Sequence, residues 1–419
     1  MCAFKFQDGE LYCDDLKVKD IVEETGTPCY LYSQKSLIDN YEAFDEAFAA
    51  IDQMICYAVK TNANLSVLST LARLGAGADI VSGGELYKAL AAGFSSDKIV
   101  FAGVGKTAEE ISYALDNNIL MFNVESLPEL ELIGDVAKTL KKKARISFRV
   151  NPDINPHTHH HISTGLAQNK FGISINHAPE AYERASVNKF LDIAGVQVHI
   201  GSQITTVEPF VEALEKTLKL ARNLAEINIK LQYIDLGGGL GITYKDEKPP
   251  TPRELARALI PLIKGTPYRF IFEPGRFIAG NAGILVTKIL YLKETAAKKF
   301  VIVDAGMNDL SRPVLYDAYH EIMPVEEVGQ KEMIVDVVGP ICESGDYFAK
   351  KRSLPPVQQG DLLAIFNAGA YGFSMASNYN ARPRSCEAMV INGKYYVTRE
   401  RETFEDLVKK EKLPKELQR

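Results

Sequence analysis

The chain has 419 residues, of which 46% are apolar and 24% charged, and its formal net charge is −6. That is apolar material for more than one core, and since a barrel alone takes about 250 residues, two domains are expected. The acidic balance and the lack of a Lys/Arg-rich stripe exclude nucleic acid as an expected partner. No apolar run reaches the ~18 residues that span a bilayer, and the start MCAFKFQDGELYCDD has no apolar signal core. A cytoplasmic protein with no membrane association is expected.

The opening stretch FKFQDGELYCDD reads as a hairpin. Short Val/Ile/Phe-rich runs then alternate with amphipathic helical patterns. Strands are expected at about 53–60, 78–82, 98–103, 119–125, 144–151, 193–200, 231–237 and 269–273. Between them, NLSVLSTLARLG stops at Gly75 and GGELYKALAAG at Gly93. TAEEISYALDNN opens on a capping-box pattern, SLPELELIGDVAKTLKKK ends in lysines that suit a helix C-terminus, and 207–227 is a long amphipathic helix. Eight strands alternating with helices predict a (β/α)8 TIM barrel over 29–277, an open doubly wound sheet being the alternative. Lys60, Asp79, Gly103, Glu125, Arg149, His199, Gly237 and Glu273 all fall at or just past strand C-termini, the catalytic face of such a barrel. After residue 277 the helical periodicity fades and Gly/Pro/Asn turns separate β runs. Residues 278–419, joined by 1–28, are therefore expected to form a mainly β second domain.

Three features bear on chemistry. Lys60 in CYAVKTNAN ends an apolar strand, and a lysine deprotonated by burial can form a Schiff base; alone, it reads more simply as a strand-end lysine reaching water. DLGGGLG and EPGRF follow the seventh and eighth strands, where barrels of this kind build phosphate sites from backbone N–H groups, with Arg276 adding charge. A reactive lysine and a phosphate site in one barrel mouth point to pyridoxal 5'-phosphate, with Glu273 as a partner for the ring nitrogen and His199 placed to stack on the ring. A phosphosugar aldolase would also use a barrel lysine, but it leaves Glu273 and the β domain unexplained. The six cysteines, at 2, 13, 29, 56, 342 and 386, show no CxxC pair and no zinc spacing, so reduced thiols and no metal are expected. Four histidines crowd 157–161, but no Cys or carboxylate partner has ligand spacing there, so a role in a loop over the site is preferred to a metal.

The ordered motifs YAVKTNAN, GADIVSGGEL, RVNPDI, HIGSQI, DLGGGLG, EPGRF, DAGMNDLSRPVLYDAYHEI, GPICESGDYF and GAYGFSMASNYN run through nearly the whole chain. Through them it resembles the fold-type III pyridoxal-phosphate decarboxylases, and within them the diaminopimelate decarboxylases. The resemblance implies an alanine-racemase-like barrel with a β-rich domain, and decarboxylation of meso-2,6-diaminopimelate to L-lysine. Lys60 would take the cofactor's aldehyde and His199 would stack on its ring. Ser202, Gly237, Gly238, Gly239, Gly275 and Arg276 would hold the phosphate side, and Glu273 would face the ring nitrogen. Asp79 and Arg149 would lie nearby, and Tyr371 would reach cofactor and substrate. Arg276, Arg312, Tyr316 and Glu343 would bind the far end of the substrate. Cys342 would donate the proton, reaching the barrel of a partner subunit in a homodimer that shares its active sites. Alanine racemases put arginine where Glu273 stands, so Glu273 favours decarboxylation. Arg276 and Arg312 suit a far carboxylate and Glu343 a far ammonium, whereas lysine, ornithine or arginine would leave buried arginines unpaired. A decarboxylase of those amino acids and a non-catalytic cofactor-binding regulator remain the alternatives.

Overall fold

The computed structural model describes residues 3–154, 170–327, 329 and 331–418, so the histidine cluster at 157–161 and most of the loop 152–176 lie outside the described residues. The chain divides into two compact units, Leu37–Gly280 and Met1–Ser36 with Asn281–Arg419.

The first unit is built on eight parallel strands: β1 Gln53–Ala58, β2 Gly77–Ile80, β3 Ile99–Phe101, β4 Met121–Val124, β5 Ala144–Asn151, β6 Leu191–Val198, β7 Tyr233–Asp235 and β8 Arg269–Phe272. Each pairs in parallel with the next, with one register shift between Ile193 and Gly195 of β6, and β8 returns to β1 (Phe270 opposite Gln53), which closes the barrel. Because side chains alternate along a strand, one set faces the helices and the other fills the barrel. The helix-facing set, such as Tyr57, Phe122, Phe148, Val196 and Phe270, is apolar and buried. Inside, Met54, Cys56, Val100, Met121, Ala194 and Ile271 form an apolar plug. Two residues further along each strand the inner set turns polar: Asn123 after Met121, Glu273 after Ile271, Asp235 after Tyr233.

The helices start and stop as local chemistry dictates. Thr107 and Glu110 form the capping box of helix Ala108–Asp116, and Ser82 caps Gly83–Ala92, which ends at Gly93 with φ 96°.

The second unit is mainly β. Its long strand Gly283–Glu294 pairs with Cys29–Ser33, Leu362–Ile365 and Lys299–Val303 along successive stretches. Lys299–Val303 runs parallel to Met333–Val338, and that strand pairs with Tyr347–Leu354. Cys29–Ser33 runs parallel to Cys386–Ile391, which turns at Asn392–Gly393 into Lys394–Arg399. The sequence reading began the barrel at residue 29, yet Cys29–Ser33 is a central strand of this sheet. All five of its residues are buried and leave no alternating polar face to mark it. Tyr347–Leu354 has no apolar strand signal in the sequence, because YFAKKRSL carries charge along its middle.

Candidate active site

The polar layer at the C-terminal ends of the barrel strands gathers the residues singled out in the first unit. Lys60 sits in the single turn Val59–Thr61 just past β1, its side chain 35% exposed, and its Nζ is ion-paired with the fully buried Asp79 at the end of β2. The second Asp79 oxygen, Oδ1, is buried and accepts no hydrogen bond among the described residues, so it can take a further donor.

Glu273 follows β8 and is only 4% exposed. Gln197 Nε2 donates to both its oxygens, at 3.1 Å each. Asp235 at the end of β7 lies against it, with Asn123 Nδ2 3.4 Å from Asp235 Oδ2 and 3.5 Å from Glu273 Oε1. Burial raises both acids: Asp235 is pushed up to about 7, and Glu273, buried and facing Asp235 and Asp79, stands well above the carboxylate range. Burial and their mutual repulsion oppose ionisation of both carboxyls at once.

His199 accepts from the Gly238 N–H through Nδ1 at 3.1 Å, which leaves its proton on Nε2. Burial first, then Arg149 and Lys60, hold it well below the usual histidine range, so the ring is neutral. Arg149 is paired with Glu125 at 3.0 Å and lies over the Phe171 ring at 4.6 Å. Glu125 also accepts from the Gly103 and Gly172 N–H groups, at 3.0 and 2.8 Å. Behind it, Lys106, 1% exposed at its side chain, donates to Glu129, Gly103 O and Asn123 O.

Past β7, Gly237 (φ 64°) and Gly239 (φ 119°) make a turn that L side chains rarely adopt, and a Cβ on Gly238 would stand 2.2 Å from Glu273 O. Gly275 is equally constrained, its Cβ position 2.1 Å from Thr61 Oγ1. Beside this turn, Arg276 Nη2 donates to Ser202 Oγ at 2.9 Å and Nη1 to Tyr244 OH at 2.7 Å.

The second unit carries the remaining predicted residues. Arg312 and Tyr316 share the helix Arg312–Tyr316, with Arg312 buried and Tyr316 half-buried. The loop that follows Met333–Val338 carries Cys342 and Glu343, both exposed. Asp346 pins it by accepting from Ile341 N and Met307 N, each at 2.7 Å. Cys342 N donates to Asn380 Oδ1 at 2.7 Å, which ties the loop to the segment that starts at Tyr371. Tyr371 holds φ 56°, uncommon for a residue with a side chain.

Sequence reasoning missed Gln197, Asn123, Asp235, Glu85 and Tyr244. Gln197, Asn123 and Asp235 follow the inner-face period of their strands, a signal that was available. Glu85 accepts from Val81 N at 2.8 Å, and burial pushes it up to about 7 against the pull of Lys60.

The donor set fits pyridoxal phosphate: an amine in reach of solvent, a buried carboxyl, a neutral imidazole, and a guanidinium with a hydroxyl beside a glycine turn. Among the described residues no cluster suits a metal ion, and no helix is long and apolar enough to cross a membrane.

Residues 34–280 match the family model for the pyridoxal-binding domain of pyridoxal-dependent decarboxylases. A diaminopimelate decarboxylase of Aquifex aeolicus is 49% identical over 405 residues, covering 96% of either chain. One from Haemophilus influenzae is 47% identical and covers 97% of this chain and 98% of its own. Among solved structures, the diaminopimelate decarboxylase of M. jannaschii in co-complex with L-lysine superposes with a TM-score of 0.94 at 42% identity, covering 99% of each chain.

Proposed function

The chain belongs to the diaminopimelate decarboxylases, within the pyridoxal-dependent decarboxylase family, and from that premise we propose that it converts meso-2,6-diaminopimelate to L-lysine and CO2, the last step of lysine biosynthesis. It is a carboxy-lyase that uses pyridoxal phosphate. The observation that carries the reaction type is Glu273, a buried carboxyl facing the interior of the barrel mouth. When bound, the cofactor supplies an electron sink for the pair left behind by the departing carboxylate, and an acid at its ring nitrogen deepens that sink.

The chain's own groups do the rest. Lys60 offers the amine that attaches the cofactor, and Asp79 holds that amine in place whenever it is released. Arg276, Ser202 and the Gly237–Gly239 turn hold the phosphate side, with Gly275 letting the Arg276 turn approach Thr61 closely. His199, neutral and fixed by the Gly238 N–H, would stack on the cofactor ring, with Arg149 near it. Tyr371 contacts cofactor and substrate. Arg312 and Tyr316, with Arg276, take the far carboxylate, and Glu343 takes the far ammonium. Cys342 gives a proton from Sγ to the carbon that has lost CO2. The exposure of Cys342 and Glu343 on their own chain supports delivery to a partner's barrel in a homodimer. Neither arginine is bare in the protein, since Arg276 meets Ser202 and Tyr244 and Arg312 meets His320. The cost of omitting a far carboxylate is thus smaller than that of two unpaired buried charges.

The test is parallel CO2 release from meso-diaminopimelate, L-lysine, L-ornithine and L-arginine by the reconstituted protein. Diaminopimelate is expected to exceed each of the others at least about 100-fold in kcat/KM. Equal turnover of any mono-carboxylate overturns the substrate assignment.

A further inference from the structure

Between helix Arg312–Tyr316 and strand Ile322–Pro324 the chain makes a turn that buries His320 completely. The imidazole is held at both nitrogens. Nδ1 lies 2.7 Å from the Phe366 carbonyl oxygen and Nε2 lies 2.9 Å from Arg312 Nη1. A carbonyl only accepts and a guanidinium only donates, so the two contacts fix the ring without ambiguity. Nδ1 carries the proton, Nε2 accepts, and the imidazole is neutral. Arg352 Nη1 donates to the His320 carbonyl oxygen at 2.9 Å, so the main chain at this position is fixed as well as the ring.

The ring thus sits on a rigid backbone and presents one acceptor to one guanidinium nitrogen. A bidentate arginine recognises a carboxylate only when its plane is set, because the fork has a fixed geometry. Arg312 is itself buried, 6% exposed, so its rotamer is governed by such contacts rather than by water.

We propose that His320 is a positioning residue for substrate selection: as a neutral acceptor it orients the Arg312 guanidinium toward the carboxylate that the substrate keeps. The inference rests on the reading of Arg312 given above and adds a residue that acts through it. A ring protonated on both nitrogens would have no acceptor for Arg312 and would set two cations side by side.

Three variants of the full-length, cofactor-loaded enzyme test it. His320→Gln keeps an acceptor near the Nε2 position. His320→Leu removes it at similar volume. His320→Asn keeps a donor for Phe366 O but falls short of Arg312. Leu and Asn are expected to raise KM for diaminopimelate about tenfold, with kcat within about threefold of wild type and with Gln restoring most of the loss. Calorimetry gives a readout apart from turnover. Leu and Asn weaken binding of L-lysine, which keeps one carboxylate, about tenfold, and leave cadaverine, which has none, unchanged. An unaltered KM, or equal losses for L-lysine and cadaverine, overturns the proposal. Should His320→Leu fail to fold, the Asn and Gln pair decides it. A wild type that binds L-lysine over cadaverine yet releases no CO2 from diaminopimelate would defeat the substrate reading and leave the role of His320 standing.

Discussion

Glu273 is an acid placed where acids are costly: 4% exposed, against Asp235, and held by the Gln197 amide. Its folded-state pKa is raised, and so is that of Asp235. Raised acids bind protons in the folded state that the unfolded chain has lost, so they favour folding at low pH and lose that contribution as pH rises through the folded values. Glu273→Gln needs no such proton. In the cofactor-free protein, the stability of Glu273→Gln relative to wild type is expected to improve from about pH 5 to about pH 8, by at most about 1.4 kcal/mol per pH unit. Denaturant unfolding across that range measures it, and a pH-independent difference would show that Glu273 is ionised in the fold. In the loaded enzyme the same substitution is expected to lower kcat roughly 100-fold. At this scale the sequence was partly legible. Lys60, Asp79, His199 and Glu273 stand in motifs or at strand ends. Gln197 gains meaning only through Glu273, 76 residues away, and His320 only through the Arg312 guanidinium and the Phe366 carbonyl.

The barrel strands were legible by existence and less so by extent. The sequence extended β1 to residue 60 and β7 to 237, but the ladders end at Ala58 and Asp235. The apolar pattern continues past the last hydrogen-bonded pair, and the chain departs from the sheet there because the mouth of the barrel turns polar. This is why Lys60, His199 and Glu273 lie one or two positions beyond their strands. The turn after β7 is the element under tightest constraint. Gly237 O accepts from Glu273 N at 2.8 Å, and Gly238 N donates to His199. Gly238→Ala would drive a methyl into the Glu273 carbonyl, so it must move the turn off β8 and release His199. The expected result is a cofactor dissociation constant at least about tenfold weaker and a stability loss of about 1–3 kcal/mol. Titration of the cofactor's absorbance and thermal unfolding read the two effects. Gly105→Ala, where a Cβ meets nothing within 4 Å, should change neither.

At the scale of the whole molecule, Lys60 belongs to one compact unit and Cys342 to the other. If the site is shared between subunits, Lys60→Ala and Cys342→Ala proteins are each inactive, and exchange of their subunits creates mixed dimers with one intact site. Random exchange would restore up to about one quarter of the wild-type sites. A mixture as inactive as its parents would mean that each subunit completes its own site. The sequence alone determined eight apolar strands alternating with helices, and the pairing of the last strand with the first decided for the closed barrel over an open sheet. It also determined, through its ordered motifs, the family, because those motifs are local and lie in chain order. Only the tertiary structure decided that Cys29–Ser33 is a strand of the β unit, that Glu273 shares its burial with Asp235 and Gln197, and that His320 fixes Arg312. Each of these depends on groups far apart in sequence meeting where water is excluded, and a hydrogen bond across such a distance leaves no periodic trace in the chain.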